Sequence, residues 1–247
     1  MLRSSMHRLL RRFGYDIHRV HSTQGPLGPV IRLIQREAIN LVLDVGANAG
    51  QFADSLRHLG YSGRMVSFEP VADAHRELLN TANGDSAWIV APRMALGAEE
   101  GEIAMKVAVL SGLSSVLQPS SSLVQAYPPS TAIATELVPC HRLDTVTQQY
   151  LRPGERALLK VDVQGFEKQV LQGAESLLQT LLGIYIEVSL ESLYDGQALA
   201  PEILDYLNRL GFQIWYLSPG WLDPQSGRML QYDVLLARYG TSSTARG

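Results

Sequence analysis

From residue 41 onward the sequence alternates short apolar segments with segments of helical periodicity, and this alternation constrains the fold more than any other feature. Strands are predicted at Leu41–Val45, Arg64–Phe68 and Ala87–Val90, with helices at Gly50–Leu59 and Val71–Thr81 between them. Strand-helix-strand order with short connections is typical of a mostly parallel sheet that helices cover on both faces. The sequence therefore predicts an α/β fold with a doubly wound sheet.

The second half of the chain returns to this rhythm after a less regular middle. Ile103–Leu110 and Ile133–Pro139 are predicted strands, separated by a Ser- and Pro-rich loop at Ser111–Ser130. A loop of this length inside a compact domain is usually functional or mobile. The remaining predicted elements are a short helix after Asp144, strands at Ala157–Val161, Gly183–Val188, Phe212–Leu217 and Met229–Ala237, and helices at Phe166–Leu178 and Pro201–Leu210.

The two ends of the chain differ from this α/β region. Between residues 1 and 20, apolar side chains recur at helical spacing with arginines between them, which predicts a basic amphipathic helix. Its apolar face packs either on the domain or on a second subunit of a homo-oligomer, or it contacts an anionic membrane surface. A second short helix is predicted at Val30–Ala38. We therefore expect a helical extension at 1–40, the main domain at 41–239 and a disordered tail at 240–247.

Composition and charge argue against several partners and compartments. The formal net charge of -3 gives no electrostatic reason to expect nucleic acid, because binding to a phosphate backbone rests on clustered Lys and Arg. Cys140 is the only cysteine, so no disulfide forms within the chain and a reducing compartment is the simpler expectation. The sequence has neither an apolar run of membrane-spanning length nor the apolar core of a signal peptide. We expect a cytoplasmic protein, with membrane association only through the first helix.

The most informative segment is Asp44 to Gly50 (DVGANAG), which directly follows an apolar strand and opens a helix. A glycine turn there lets a ligand lie against the backbone at the carboxyl edge of the sheet. Ala47 and Asn48 break the G-x-G-x-x-G spacing of dinucleotide-binding turns, of which only Gly46 and Gly50 remain. Asp44 would repel a phosphate, whereas its charge suits the cationic ammonium and sulfonium of S-adenosylmethionine.

Glu69 ends the next predicted strand, near the separation from the glycine turn at which an acidic side chain reaches the ribose hydroxyls of a bound nucleoside. Together, Asp44 and Glu69 predict a site for a positively charged nucleoside. The structural alternative is that Asp44 caps the following helix and that Glu69 is a solvated strand end.

The segment Lys160 to Gly165 (KVDVQG) lies at the end of the Ala157–Val161 strand, at the same edge as the glycine turn. Strand alternation sends Lys160, Asp162 and Gln164 to one side. A carboxylate at this edge can act as a general base, so Asp162 is the first candidate for a catalytic base or for a group that orients an acceptor. Capping of the following helix is the alternative role of Asp162.

Two more residues are candidates for the catalytic group. Glu187 ends the next strand and is expected to face Asp162 across the cleft, as a second acidic group or as half of a divalent-cation site. Two carboxylates without a compact ligand pattern do not select an ion, so no metal ligand is assigned. His141 suits proton transfer near neutral pH, although such a lone histidine is more often structural or on the surface. Ser111–Ser130 and Tyr194–Gln197 are expected to form walls of the acceptor pocket.

Four motifs together resemble the FkbM-type methyltransferases. They are DVGANAG at Asp44–Gly50, SFEP at Ser67–Pro70, LD at Leu143–Asp144 and LKVDVQGFE at Leu159–Glu167, and the likeness runs from about Leu41 to Arg238. The resemblance implies a class I methyltransferase fold with a seven-stranded sheet and an antiparallel last strand. It also implies methylation, with S-adenosylmethionine, of hydroxyl groups on sugars, glycolipids or polyketide products.

The same resemblance implies where the cofactor lies. Asp44, Gly46 and Asn48 would line its methionine part, Glu69 its ribose, and the chain near Ala95 and Leu96 its adenine. Ala47 and Gly50 of the same turn, and Asp162, are also expected to contact the cofactor.

Two other functions fit this sequence less well. A methyltransferase acting on nucleobase amino groups would be expected to carry an Asp/Asn-Pro-Pro-aromatic turn, where this sequence has Asp162 to Gly165 (DVQG). The broken glycine spacing argues against a nicotinamide-dependent oxidoreductase. Nothing in the sequence argues against a module that binds S-adenosylmethionine without turning it over. The favoured prediction is an O-methyltransferase whose acceptor is a small molecule, such as a sugar or a glycolipid.

Overall fold

A computed structural model describes residues 25–223 and 226–238, and the amphipathic helix predicted within residues 1–20 and the predicted tail at 240–247 lie outside them. The strands are β1 (Leu41–Val45), β2 (Arg64–Phe68), β3 (Trp88–Val90), β4 (Ala95–Leu96), β5 (Gly101–Ala108), β6 (Ala132–His141), β7 (Ala157–Val161), β8 (Gly183–Ser189), β9 (Phe212–Pro219) and β10 (Gln231–Arg238). The α-helices are α1 (Gly28–Arg36), α2 (Gln51–His58), α3 (Ala72–Thr81), α4 (Ser121–Ala126), α5 (Leu143–Val146), α6 (Glu167–Gln172), α7 (Glu175–Leu178) and α8 (Ala200–Arg209).

Seven of these strands form the main sheet, in the order β3-β2-β1-β7-β8-β10-β9. Neighbouring strands from β3 to β8 pair in parallel, whereas β10 pairs antiparallel with both β8 and β9. This arrangement confirms the predicted doubly wound sheet with its antiparallel last strand, and it is the sheet of the class I methyltransferase fold.

Helices cover both faces of the main sheet and bury two apolar layers. On one face, strand residues pack with α6, α7 and α8, for example Val170, Leu177 and Ile203. On the other face they pack with α1, α2 and α3. Leu33 of α1 is fully buried there, so this helix packs on the main sheet. Burial of apolar side chains, at roughly 25 cal/mol per Å² removed from water, is the main term that holds these layers together.

A second, three-stranded sheet has the order β4-β6-β5, and the sequence predicted only two of its strands. The β5 and β6 strands form an antiparallel pair, while Ala95 and Leu96 of β4 pair in parallel with the end of β6. A strand of two residues has too little periodicity to be recognised in a sequence. The predicted strand at Ile103–Leu110 ends earlier, at Ala108, next to a shift in register.

The segment predicted as a long loop contains regular structure. Ser111–Leu113 and Pro128–Ser130 form 3₁₀ turns, and the α4 helix lies between them. Ser120 caps this helix, because its hydroxyl accepts a hydrogen bond from the backbone N–H of Leu123 at 3.2 Å. The cap explains how a short Ser-rich stretch is helical despite its weak intrinsic propensity.

The helix predicted at Phe166–Leu178 is wrong in one respect, since the structure contains two helices, α6 and α7. Gly173 separates them, and a Cβ there would lie 2.0 Å from the carbonyl oxygen of Gly97. Asp144 accepts hydrogen bonds from the backbone of Ser176 at 3.1 Å and of Leu177 at 2.8 Å. Asp144 of the Leu143–Asp144 motif therefore caps the amino terminus of α7, which is a structural role.

Among the helices of the described residues, none has the length and apolar character that crossing a bilayer requires.

Candidate cofactor and acceptor site

A cavity of about 340 Å³ lies at the carboxyl ends of the parallel strands. The segments that follow β1, β2 and β7 meet there, because parallel strands end at the same edge of the sheet. The antiparallel β10 strand reaches this edge with its first residues. Of the residues predicted to bind the cofactor, the cavity is lined by Gly46, Ala47, Asn48, Glu69, Ala95, Leu96 and Asp162.

The glycine turn after β1 is shaped by its contact with the end of β7. Gly46 has a φ of 73°, and a Cβ there would lie 1.8 Å from the carbonyl oxygen of Asp162. Only glycine allows this approach and this conformation together. Gly50 does not line the cavity but stands at the start of α2 with a φ of 92°, packed against Trp88. The first glycine therefore forms the floor of the site, and the second starts the helix.

Glu69 is held by the backbone at the cavity wall. One carboxylate oxygen accepts a hydrogen bond from the backbone N–H of Asn48 at 2.7 Å, and the other accepts one from Val71 at 2.8 Å. The residue is only 5% exposed, and burial raises the pKa of Glu69 to about 7 although both N–H groups oppose this shift. A carboxylate has about four acceptor positions, so it keeps capacity for the hydroxyl groups of a ligand.

Asp44 lies beneath the cavity and not in its wall. It is fully buried, accepts a hydrogen bond from the Ser67 hydroxyl at 3.2 Å, and has its Oδ1 3.2 Å from the ammonium of Lys160. The start of α2 has no side-chain cap, so Asp44 does not take the alternative role of capping it. The structure thus places an amino group of the chain against Asp44, in the position where the sequence suggested a cationic ligand.

Lys160 ties the ends of β1 and β7 together. Its ammonium donates hydrogen bonds to the carbonyl oxygens of Gly46 at 2.6 Å and Val45 at 3.3 Å, and it lies 3.9 Å from Asp162. Burial by itself would lower the pKa of Lys160, but Asp44 and Asp162 outweigh burial and raise it. Lys160 is therefore a buried cation that neutralises the floor of the site.

Asp162 and Glu187 are brought together by an amide. The Nε2 of Gln164 donates to Asp162 at 2.7 Å and to Glu187 at 2.9 Å, and Gln231 donates to the same oxygen of Glu187 at 2.9 Å. Burial, and then the charge of Asp162, raise the pKa of Glu187 well above its usual value. Both carboxyl groups line the cavity, and the amides fix their orientation.

Asp162 does not cap the helix that follows it. Glu167 instead accepts hydrogen bonds from the backbone of Val163 at 3.2 Å and of Gly165 at 3.0 Å, which closes the turn. Glu167 is buried, and burial raises its pKa to about 7.

Asp233 is a cavity residue that the sequence reasoning did not single out. It lies opposite Glu187 in the antiparallel pairing of β8 and β10, and it accepts a hydrogen bond from the Tyr185 hydroxyl at 2.9 Å. Burial raises the pKa of Asp233 to about 6. The available signal was a carboxylate directly before the apolar run Val234 to Ala237, which is unusual in a half-buried strand.

The irregular segment after β5 forms part of the wall. Ser111, Gly112, Ser114 and Val116 line the cavity, and the Ser111 hydroxyl donates to the Asn48 side chain at 3.0 Å. Tyr194 donates from its hydroxyl to the Gln164 side chain at 3.1 Å. Both segments predicted as pocket walls thus contact the residues of the site.

His141 is not brought to this cavity. It lies at the end of β6 in the small sheet, where its Nδ1 is 2.6 Å from a carboxylate oxygen of Glu100, and its side chain is 38% exposed. The small sheet directs it to the surface, which corresponds to the surface role that the sequence left open. Among the described residues there is also no group of three or more His, Cys, Asp or Glu side chains arranged to hold a metal ion.

Comparison with solved structures finds chains whose backbone structure is similar to that of this protein. Fibrillarin from Aeropyrum pernix, in complex with S-adenosyl-L-methionine, is 12% identical with a TM-score of 0.48, covering 88% of this chain and 76% of its own. An rRNA methylase from Streptococcus thermophilus is 13% identical with a TM-score of 0.46, covering 87% and 97%. Precorrin-6y C5,15-methyltransferase from Geobacter metallireducens is 9% identical with a TM-score of 0.44, covering 85% and 86%. Scores this low carry no substrate over to this chain.

Sequence comparison is more specific. No curated protein matches the chain, whereas the family model described as the methyltransferase FkbM domain matches residues 44–214, from the glycine turn to the β9 strand. The match spans more than half of the sequence and includes the turn at Gly46, Glu69, Asp162 and Glu187. The strand order of the main sheet agrees with it. The chain belongs to the FkbM methyltransferase domain family.

Proposed function

We propose that this protein is an S-adenosylmethionine-dependent O-methyltransferase that acts on a hydroxyl group of a sugar, a glycolipid or a related natural product. The FkbM domain supports methyl transfer as the general reaction. The observation that carries the choice of a hydroxyl acceptor is the set of three oriented carboxyl groups, Asp162, Glu187 and Asp233, that line the cavity beside the glycine turn. An aliphatic hydroxyl reacts poorly until a positioned base removes its proton, so such a site needs carboxylates of this kind.

The residues of the cavity fit S-adenosylmethionine. Glu69 presents a buried carboxylate to it, which suits the two hydroxyl groups of a ribose. Met94, Ala95 and Leu96 provide an apolar part of the cavity wall, which suits an adenine ring. The turn at Gly46 lines the cavity at the position expected for the methionine part.

The charges of the cavity favour a cationic ligand over a dinucleotide. The charged residues in its lining are one cation, Lys160, and the acidic residues Glu69, Asp162, Glu187 and Asp233. Asp44 already compensates Lys160 from below, and Glu187 retains its proton, so the charge that faces the cavity is that of the other acidic side chains. A pyrophosphate would be repelled here, whereas a sulfonium and an ammonium would be attracted. This supports the methyl donor over a nicotinamide cofactor.

S-adenosylmethionine supplies an electrophilic methyl group when it is bound. The chain contributes alignment, because methyl transfer requires the acceptor oxygen in line with the carbon-sulfur bond. Gln164 holds Asp162 and Glu187 at fixed positions, so these groups need little reorganisation when an acceptor arrives. The hydroxyl and carboxyl groups that line the cavity are also suitable hydrogen-bonding partners for a neutral polyol.

Incubation with S-adenosylmethionine labelled in its methyl group tests the proposal. The acceptors are methyl α-D-glucoside, methyl α-D-mannoside and methyl α-L-rhamnoside, and the corresponding glycosides with lipid aglycones. Binding of S-adenosylhomocysteine is measured by calorimetry. We expect binding of S-adenosylhomocysteine and label in an O-methyl glycoside, with loss of transfer in Asp162→Asn. Binding without transfer would instead support a non-catalytic module, and binding of a nicotinamide dinucleotide alone would support the oxidoreductase.

A further inference from the structure

Asp162, Glu187 and Asp233 form an acidic row along the edge of the sheet. Asp162 lies at the end of this row that is nearest the glycine turn. Its backbone N–H donates to the carbonyl oxygen of Val45 at 3.1 Å, and its carbonyl oxygen covers Gly46. Its carboxylate lies 3.9 Å from Lys160 and accepts the amide of Gln164. These contacts place Asp162 at the turn that would hold the methionine part of the cofactor.

Asp233 lies at the opposite end of this row. The edge of the sheet runs from the β1 turn through β7 and β8 to β10, so Asp162, Glu187 and Asp233 follow one another along it. Two strands therefore separate Asp233 from the glycine turn. A ligand that reaches across the cavity from the turn would have its far side facing Asp233.

The hydrogen bonds of Asp233 leave one oxygen available. Tyr185 donates to Oδ2 at 2.9 Å, and the hydrogen bonds found within the described residues do not involve Oδ1. The ring of Tyr185 is itself fixed, since it stacks on Phe52 at 5.5 Å between ring centroids with 16° between the planes. An aspartate of the cavity wall that is held through one oxygen keeps its other oxygen available to accept a proton.

Glu187 is less suited to that task than Asp233. The oxygen Oε2 of Glu187 accepts two amide hydrogen bonds, and Asp162 and Asp233 flank it on both sides. Burial, and then the carboxyl neighbours, raise the pKa of Glu187, so it retains its proton and can donate a hydrogen bond to an acceptor oxygen.

We propose that Asp233, oriented by Tyr185, is the catalytic base that takes the proton of the acceptor hydroxyl. This inference rests on the proposed O-methylation. The acceptor oxygen forms its bond to the methyl carbon as its O–H bond breaks, and the proton moves to Asp233 Oδ1. The electron pair of the broken carbon-sulfur bond stays on sulfur, which becomes a neutral thioether. Asp162 serves the cofactor side, and Tyr185 is a positioning residue.

The surroundings of Asp233 determine how its protonation responds to pH. Tyr185 and Glu187 face it from β8, and Ser218 is its partner on β9. Lys160 of β7 and Asp162, directly after β7, also act on it. Burial raises the pKa of Asp233 to about 6, and the hydroxyl of Tyr185 lowers it. Activity should therefore rise with pH through about 6, and loss of the Tyr185 hydroxyl should move this rise to higher pH.

The test compares Asp233→Asn, Tyr185→Phe and the exposed control Asp205→Asn in the full chain, with the methyl glycoside that the wild type labels best. We expect Asp233→Asn to lower kcat by roughly a hundredfold to ten-thousandfold with unchanged affinity for S-adenosylhomocysteine, and Asp205→Asn to behave as wild type. Tyr185→Phe keeps the ring and should shift the acidic limb of the pH profile of kcat to higher pH.

Three results would overturn the assignment. They are a kcat of Asp233→Asn close to that of wild type, a large loss of S-adenosylhomocysteine binding in this variant, and an acidic limb that Tyr185→Phe does not move. Absence of label transfer already in the wild type, with S-adenosylhomocysteine bound, would instead contradict the proposed O-methylation itself. Failure of the inference and failure of the proposed function are thereby distinguished.

Discussion

The ammonium of Lys160 and the carboxylate of Asp44 lie 3.2 Å apart beneath the cavity, and both side chains are almost fully shielded from solvent. They are partners in register on the parallel strands β1 and β7, next to the glycine turn. Ser67, the partner of Asp44 on β2, completes the row and accepts a hydrogen bond from the Trp88 indole at 3.0 Å. A polar row thus crosses the interior of the sheet directly below the site.

Removing one member of this ion pair should destabilise the protein strongly. We expect Lys160→Met to lower the free energy of unfolding by about 3–5 kcal/mol, because Asp44 would keep a buried charge without a partner. Urea denaturation measures the change. The double variant Asp44→Asn/Lys160→Met should recover part of the loss, and Arg209→Met, which breaks the exposed pair with Asp205, should cost less than about 1 kcal/mol. A Lys160→Met variant as stable as wild type would contradict this role.

Loss of the Glu69 carboxylate should weaken cofactor binding. Charge-assisted hydrogen bonds to two ribose hydroxyls are worth roughly 1.5–3 kcal/mol, so Glu69→Ala should raise the Kd for S-adenosylhomocysteine by about tenfold to a hundredfold. Calorimetry measures the affinity. The matched control is Glu100→Ala, whose carboxylate binds His141 outside the cavity and whose loss should leave the Kd unchanged. Wild-type affinity in Glu69→Ala would refute the ribose assignment.

The stability of the protein should fall as the pH rises from about 5 to about 7. Burial raises the pKa of Glu69 and of Glu167 to about 7 and that of Asp233 to about 6, above the usual values for the unfolded chain. In this interval the folded state binds more protons than the unfolded state, so the free energy of unfolding decreases with increasing pH. The midpoint of urea denaturation, measured at three pH values in this interval, tests this decrease.

Glu167→Gln separates this effect from the rest of the titration. The variant removes one of the raised carboxyl groups, while its amide oxygen can still accept the hydrogen bonds from Val163 and Gly165. We expect a flatter dependence of stability on pH than in wild type, and no change of slope in the exposed control Glu77→Gln. A wild-type slope in Glu167→Gln would show that this carboxyl group does not contribute.

A methyl group at Gly46 should abolish the site. Gly46→Ala would bring its Cβ to 1.8 Å from the carbonyl oxygen of Asp162, so the ends of β1 and β7 would have to separate. The control is Gly60→Ala, which has a positive φ of 92° but open space around the Cβ position. Both variants should lose about 1–3 kcal/mol of stability through backbone strain, and Gly46→Ala should lose more because of the steric clash. Only Gly46→Ala should also lose S-adenosylhomocysteine binding, and equal binding in both would contradict the close approach.

The sequence by itself determined the elements of the main sheet and one end of the site. Alternation of apolar residues is a local pattern, so β1, β2 and β7 were predicted with the bounds that the structure shows. The glycine turn and Glu69 were found for the same reason, since each stands directly after a predicted strand and parallel strands end at one edge. Asp162 and Glu187 followed from the same rule.

Only the tertiary structure decided how the charged groups are paired. Asp44 and Lys160 are far apart in the sequence and become partners because β7 inserts beside β1 in the sheet. Asp233 precedes most of its strand, and it reaches the cavity only because β10 runs antiparallel to β8. His141 is directed away because β6 belongs to the second sheet. Strand order and direction arise from packing between distant segments, and local periodicity contains no record of them.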